Sequence, residues 1–473
     1  MCGIAALFGV ESAERYVADL LFAIQHRGQE SCGISVRTAD STILTYKQMG
    51  LVKQVFTPAV FEHFTGTVAI GHVRYPTAGS SDVLNSQPHE GEFLNGSKIA
   101  FCANGDIVNY AEWRSFLEGK GVTFTSSNDG ELITKLIVYH CVADGMDIKE
   151  AIAAVQREIK GAFSALLLHG EYLYAFRDPH GFRPLVMGHL TWQGGGEIPS
   201  EGSCFASESC AFGIIGARFV REVMAGEILR LKRNRPVEIA GRNSLMPRYC
   251  IFELIYFSRP DTITFDETVY AVRKRIGAIL ARYDHDLPGG DDLVVMAVPD
   301  SSNFVALGYA AEKRVPFEMG LIRNHYVGRT FISPHQEKRD EGVKQKFNPL
   351  PRFFDRKRVV LVDDSIVRGT TLRKIVRMIR GAGAREIHVR IGSPRVTGPC
   401  FYGIDTPTRA ELIANNKTIE ETRDYLSADS LKHLSLDDLL HVVKYPDHFC
   451  TACFSGDYLY VPPSFVKQNA PRG

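Results

Sequence analysis

This 473-residue chain has little charge of either sign to spare: 55 Lys and Arg against 54 Asp and Glu leave a formal net charge of +1. No global field then draws it to nucleic acid or to an anionic membrane, and neither is expected as its main partner. It also lacks an apolar run of spanning length, which needs about 20 residues, so no transmembrane helix is expected. No basic segment precedes the apolar stretch that starts at Cys2, and Glu11, Glu14 and Arg15 soon follow. A secretory signal is therefore not expected, and the cytoplasm is the expected compartment. Long internal repeats and low-complexity tracts are absent as well. What the chain does have is length enough for two or more domains, and ten cysteines. Without a secretory signal these are expected to be reduced thiols, a few of them catalytic or metal-binding.

The two halves differ in pattern. The first is rich in short alternating segments broken by Gly, Asn and Pro, at 42–46, 68–73, 98–102, 162–168 and 172–177. These predict antiparallel strands. Helical periodicity interrupts them at 12–25 and 130–142. The polar stretch 231–249, with basic residues and two prolines, predicts a domain boundary. In the second half, 292–298 and 358–362 are continuous apolar runs, as in strands buried on both faces. Leu372, Ile375, Val376 and Ile379 share one helical face, Arg373, Lys374, Arg377 and Arg380 lie off it, and Gly381 and Gly383 end the helix. A strand at 386–391 then completes a βαβ unit, in which ligands bind beyond the carboxyl ends of the strands.

Cys2 becomes interesting if Met1 is removed. It would then carry a thiol and a free α-amine, a nucleophile and a proton acceptor on one residue, titrating near ~8.5 and ~8 respectively. Alone this is weak. It is followed, however, by Gln25-His26-Arg27-Gly28-Gln29-Glu30, by Gly71-His72-Val73-Arg74-Tyr75-Pro76-Thr77, by Asn104-Gly105 and by Asn128-Asp129-Gly130-Glu131. This ordered set resembles the class II glutaminases of the N-terminal nucleophile hydrolase superfamily, with a four-layer αββα fold. The resemblance implies that Cys2 attacks the glutamine side-chain amide to give a γ-glutamyl thioester. It implies an oxyanion hole from the Asn104 amide and the Gly105 N–H, with Arg74 on the substrate α-carboxylate and Asp129 on its α-ammonium. One departure stands out: Ala103 precedes Asn104, where phosphoribosyl amidotransferases usually carry His.

Val359 to Val362 make a buried strand that ends in Asp363 and Asp364, and a small hydroxyl-bearing turn, Ser365 to Thr371, opens the basic-flanked helix. Backbone N–H groups at such a turn can cradle a phosphate. Paired carboxylates can engage ribose hydroxyls and help to hold Mg²⁺. The thirteen residues resemble the 5-phosphoribosyl 1-pyrophosphate (PRPP) signature of type I phosphoribosyltransferases. That resemblance implies Asp363 and Asp364 on the ribose and metal, with Ser365, Arg368, Gly369, Thr370 and Thr371 around the 5′-phosphate. Val298-Pro299-Asp300-Ser301-Ser302 resembles the family's pyrophosphate loop, with Ser302 near the metal. The polar stretch from Arg323 to Asn348 resembles a loop closing over PRPP, with Lys346 reaching the substrate.

Four further cysteines stand far apart: Cys250, Cys400, and the C-x-x-C pair Cys450 and Cys453. Spacing alone leaves buried thiols, a zinc site and an iron–sulfur cluster open. Their contexts, Tyr249 to Glu253, Pro399 to Asp405 and Cys450 to Phe454, resemble the [4Fe–4S] branch of the glutamine PRPP amidotransferases. The whole chain is then expected to be an α+β αββα glutaminase domain (2–235), an α/β type I phosphoribosyltransferase domain (250–440) and a tail carrying cluster ligands (441–473). The implied reaction makes phosphoribosylamine, pyrophosphate and glutamate from glutamine, PRPP and water, the first step of purine synthesis. The family further implies a homotetramer, an internal ammonia path for which Tyr256 is a candidate lining residue, and inhibition by purine nucleotides. A hexosamine or asparagine synthase would share the first half but not the PRPP signature, and a PRPP-sensing regulator would not need the Cys2 pocket.

Overall fold

The computed structural model describes residues 1–76, 81–192, 200–232, 235–240, 245–324, 345–463 and 465. The first domain is built on two antiparallel sheets. One has seven strands in the order Arg218–Glu222, Val186–Trp192, Ser200–Ala206, Gly3–Phe8, Val68–Arg74, Ser31–Arg37, Ile43–Met49. The other has six, in the order Arg235–Ala240, Ile228–Lys232, Tyr172–Arg177, Gly161–His169, Lys98–Ile107, His89–Glu92.

Alternation along the strands explains the layering. In the first strand Ile4, Ala6 and Phe8 meet Ala100, Cys102, Leu166 and Leu168 of the opposite sheet. Ala5 and Leu7 point the other way, onto Val17, Leu20 and Leu21 of the helix Ala13–Ala23. Side chains at successive positions face opposite sides of a sheet, so one strand serves two cores. The outer face of the six-stranded sheet is covered by the helices Asp129–Ala143 and Ile148–Glu158. This is the expected αββα order. The sheet runs past the expected boundary at 235: the strand Arg235–Ala240 pairs with Ile228–Lys232. Pro236 sits there without penalty because the strand is the last of its sheet and needs no donor on its outer side.

The second domain holds a four-stranded parallel sheet in the order Leu293–Ala297, Arg358–Asp363, Glu386–Ile391, Ser430–His433. Val359 and Leu361 pack on the helix Thr370–Gly381 through Leu372, Ile375, Val376 and Ile379, the face read from the sequence. Val360 and Val362 pack on the other side with the helices Val269–Arg282 and Asn303–Lys313. The chain's last part returns to the start of this domain. Phe449–Cys450 pairs in parallel with Tyr249–Cys250, placing Cys450 beside Cys250.

Candidate active sites

The pairing of Gly3 with Val73 brings Arg74 to the Cys2 end of the first strand, and Asn104 arrives from the opposite sheet. The backbone N–H of Cys2 donates to Asn104 Oδ1 at 3.1 Å, and its thiol lies 3.6 Å from the Tyr75 carbonyl. Asn104 is fully buried, yet among the described residues its Nδ2 donor has no partner. A buried amide donor left unsatisfied beside a thiol is costly unless something arrives to accept from it. At Gly105 a Cβ would fall 1.8 Å from the Ala162 carbonyl oxygen, so no other residue fits. Cys2, Arg74, Gly105, Asp106 and Asp129 line one cavity of about 440 Å³.

The groups expected to hold glutamine are therefore gathered together. Arg74 is buried and donates to Glu30 Oε2 at 2.6 Å. Asp129 opens its helix and accepts from the Ile107 N–H at 2.9 Å. Burial, reinforced by the neighbouring Asp106, holds the Asp129 carboxyl well above the usual range. Asp106 was not singled out from the sequence. Nor was Gln87, whose amide brackets the backbone of Ala103 with bonds of 2.7 and 3.3 Å. Position 103 is thus held through its backbone, and its small side chain packs in the apolar core under the sheet.

Arg27 is the largest omission. Its Nε donates to the Cys2 carbonyl at 3.0 Å. Its other nitrogens grip Glu208 at 2.5 Å and Glu253 of the second domain at 3.0 and 2.8 Å, all fully buried. Burial pushes the Glu253 carboxyl up, but Arg27 outweighs it and holds it below its ordinary value. The Met1 thioether lies against Arg183 and 3.9 Å from Arg27 Nη2. Burial lowers the Met1 amine to about 6.

In the second domain Asp363 and Asp364 end the central strand, as expected. Ser302 Oγ donates to Asp363 Oδ1 at 3.0 Å and Asp364 Oδ2 at 3.2 Å, while Ser301 reaches Asp364 Oδ2 at 2.5 Å. Ser365 caps the other Asp364 oxygen at 2.8 Å. Burial raises both carboxyls, and for Asp363 the adjacent Asp364 adds to it. Two acids forced together this way favour a cation between them and the substrate. Gly369 takes a positive φ of 71° where the turn enters the helix, followed by Thr370 and Thr371. Arg368 is exposed and paired with Glu411 at 2.9 Å. Of the loop expected to close over PRPP, residues 325–344 lie outside the described residues. Phe347–Pro349 is a strand paired with Leu321–Arg323, and Lys346 precedes it with its ammonium 5.2 Å from the Phe347 ring centre.

The four distant cysteines meet. Cys250, Cys400, Cys450 and Cys453 line one cavity of about 300 Å³ with Arg183, Phe252, Tyr402 and Tyr458. Burial pushes the Cys400 thiol to about 11 and the Cys450 thiol to about 12. Among the described residues, no three His, Cys, Asp or Glu side chains are gathered tightly enough for a single metal ion. Four thiols around one cavity are a ligand set that an iron–sulfur cluster would take as thiolates.

Residues 82–212 match the family model described as a glutamine amidotransferase domain. Over its whole length the chain is similar to proteins named amidophosphoribosyltransferase. That of Synechococcus elongatus is 42% identical over 470 residues, 99% of this chain and 93% of the relative. That of Methanothermobacter thermautotrophicus is 42% identical over 471 residues, 99% and 96%. A solved glutamine PRPP amidotransferase from B. subtilis, complexed with ADP and GMP, superposes with a TM-score of 0.86 at 38% identity, covering 97% of both chains.

Proposed function

The chain belongs to the amidophosphoribosyltransferase family, and from that membership we propose how its residues divide the work. The reaction is the glutamine-dependent amidation of PRPP to phosphoribosylamine with release of glutamate and pyrophosphate, the first step of de novo purine synthesis.

The observation that carries our assignment is Asn104. Its Oδ1 holds the Cys2 nitrogen, and its buried Nδ2 finds no acceptor among the described residues. With Met1 removed, that nitrogen is the free amine that takes the thiol proton as sulfur attacks the glutamine amide carbon. Charge develops on the carbonyl oxygen, where Asn104 Nδ2 and the Gly105 N–H donate. As the adduct collapses, the departing amide nitrogen takes that proton back from the protonated amine and leaves as ammonia, and water then frees glutamate from the thioester and restores the thiol. Arg74 and the Asp106–Asp129 pair hold the substrate's carboxylate and ammonium in the same cavity.

Ammonia then attacks C1 of PRPP and pyrophosphate leaves. Asp363, Asp364 and Ser302 would hold Mg²⁺ and the ribose diol, Mg²⁺ supplying charge neutralisation for the departing pyrophosphate. Ser365, Arg368, Gly369, Thr370 and Thr371 would receive the 5′-phosphate at the helix start, with Lys346 at the pyrophosphate side. Passage of ammonia between the sites, with Tyr256 along the way, is part of the same proposal. The cavity of four thiols supports a [4Fe–4S] cluster on Cys250, Cys400, Cys450 and Cys453 that ties the tail to both domains. Purine nucleotides are proposed as inhibitors, in line with the ADP and GMP in the B. subtilis complex. The cytoplasmic location and the homotetramer rest on the sequence reading and the family resemblance. Among the described residues no helix is long and apolar enough to cross a membrane.

The test is an anaerobic assay of the pure protein with Mg²⁺. Glutamate and pyrophosphate should appear in equal amounts when glutamine and PRPP are both present. Glutamate release that never brings pyrophosphate would overturn the proposal.

A further inference from the structure

Gly105, the proposed oxyanion donor, is squeezed from two sides. On one side lie Ala162 and Phe163 of its own sheet, where a Cβ would come within 1.8 Å of the Ala162 oxygen. On the other lies Gly403 of the second domain. A Cβ at Gly403 would stand 3.0, 3.1 and 3.2 Å from the carbonyl carbon, Cα and oxygen of Gly105. The two backbones touch with nothing between them. Gly403 has a φ of 99°, which few residues with a side chain adopt.

The loop that presents Gly403 is stiffly held. The Cys400 N–H donates to Thr406 Oγ1 at 2.6 Å and closes the turn. Tyr402, 2% exposed, stacks on Phe182 of the first domain with ring centres 4.4 Å apart and 24° between planes. Its hydroxyl donates to the Tyr460 carbonyl and accepts from the Tyr460 N–H, both at 2.9 Å. The Phe182 N–H donates to Asp178 Oδ2 at 3.2 Å, and the same oxygen accepts from Phe163 at 3.1 Å. Phe163 is the strand partner of Gly105. The loop therefore grips the oxyanion strand directly through Gly403 and indirectly through Tyr402, Phe182 and Asp178.

We propose that Gly403 is a positioning residue for the glutaminase reaction, and that the loop 400–406 of the second domain fixes the Gly105 N–H where charge develops in the tetrahedral adduct. The inference rests on the assignment of Gly105 as oxyanion donor. It makes the first site complete only when the second domain is docked on it. An oxyanion hole works because its donors are held in place before reaction, so a small shift of backbone reads out in the transition state and not in ground-state binding.

Two ligands separate those effects. Glutamate γ-semialdehyde adds to the Cys2 thiol and puts an oxyanion in the hole, whereas glutamate only fills the cavity. Removing one oxyanion donor costs roughly 10²–10³ in rate, and displacing one should cost about tenfold. Gly403→Ala is expected to lower kcat with glutamine and to weaken the aldehyde by about that factor. Glutamate affinity and ammonia-dependent synthesis should stay within about twofold, which is too little to register as a lost interaction. Tyr402→Leu, which removes the stack but adds no atom near Gly105, should move the same two quantities in the same direction. If Gly403→Ala also loses ammonia-dependent synthesis, Tyr402→Leu decides. Aldehyde and glutamate affinities that fall together, or not at all, overturn the inference. A wild-type enzyme that binds the aldehyde no better than glutamate overturns instead the assignment of Gly105 itself.

Discussion

Arg27 of the first domain and Glu253 of the second form a buried two-bond ion pair at 2.8 and 3.0 Å, and the same Arg27 holds the Cys2 carbonyl. The backbone of the proposed nucleophile is thereby tied to the other domain. Glu253→Ala leaves a buried cation short of one of its two carboxylate partners, a change that typically costs about 3–5 kcal/mol. A lower melting temperature and a loss of glutamine-dependent turnover are expected together. Acid should act the same way. Glu253 is held below its ordinary value of 4.5, so its contribution is full above that pH and is lost as pH falls through the lowered value. A melting temperature that Glu253→Ala leaves unchanged contradicts this.

Cys2→Ala should abolish turnover with glutamine and spare synthesis from free ammonia, because the thiol serves only the first site. Comparing the two nitrogen sources in one assay decides it. Normal glutamate release by the variant would refute Cys2 as nucleophile. Mass spectrometry of active wild-type protein should find Cys2 at the N-terminus, since the Asn104 bond to the Cys2 nitrogen serves catalysis only if that nitrogen is an amine.

Much of this was legible in the sequence. The helix Thr370–Gly381 buries the four apolar residues its periodicity predicted, and the acids Asp363 and Asp364 end the strand before it. Cys2, Gly105, Arg74 and Asp129 converge on one cavity, Asn104 bonds to the Cys2 nitrogen, and four cysteines spread over 200 positions line a second cavity. What escaped notice was set by tertiary contact. Arg27 and Glu253 are 226 positions apart, and no local pattern marks either as half of a pair. Gln87 and Asp106 matter only because opposite elements bring Ala103 and Asp129 to them. The strand Arg235–Ala240 fell in the polar stretch read as a domain boundary because Pro236 argues against a strand unless, as here, that strand is the last of its sheet.

Asp363→Asn with Asp364→Asn keeps size and removes charge. PRPP binding with Mg²⁺ by calorimetry should be lost, and synthesis should fail with glutamine and with ammonia alike. Chelation of Mg²⁺ from the wild type should reproduce the second effect reversibly. Unchanged PRPP affinity in the double variant would contradict the assignment.

Protein purified without oxygen should contain iron and sulfide and absorb broadly in the visible. Replacing Cys400 or Cys453 by Ser should lower the iron content and the melting temperature together, since those side chains lie at the junction of the tail with both domains. Stoichiometric zinc in place of iron would contradict the cluster.

The most direct test of the central claim follows the nitrogen. Glutamine labelled with nitrogen-15 at its amide is supplied with PRPP and Mg²⁺ in a medium containing unlabelled ammonium, and the phosphoribosylamine formed is trapped and weighed. Two sites on one chain that pass ammonia internally should give a product carrying the label, with one pyrophosphate for each glutamate. A product that carries the medium's unlabelled nitrogen, with glutamate released independently of pyrophosphate, would contradict the account.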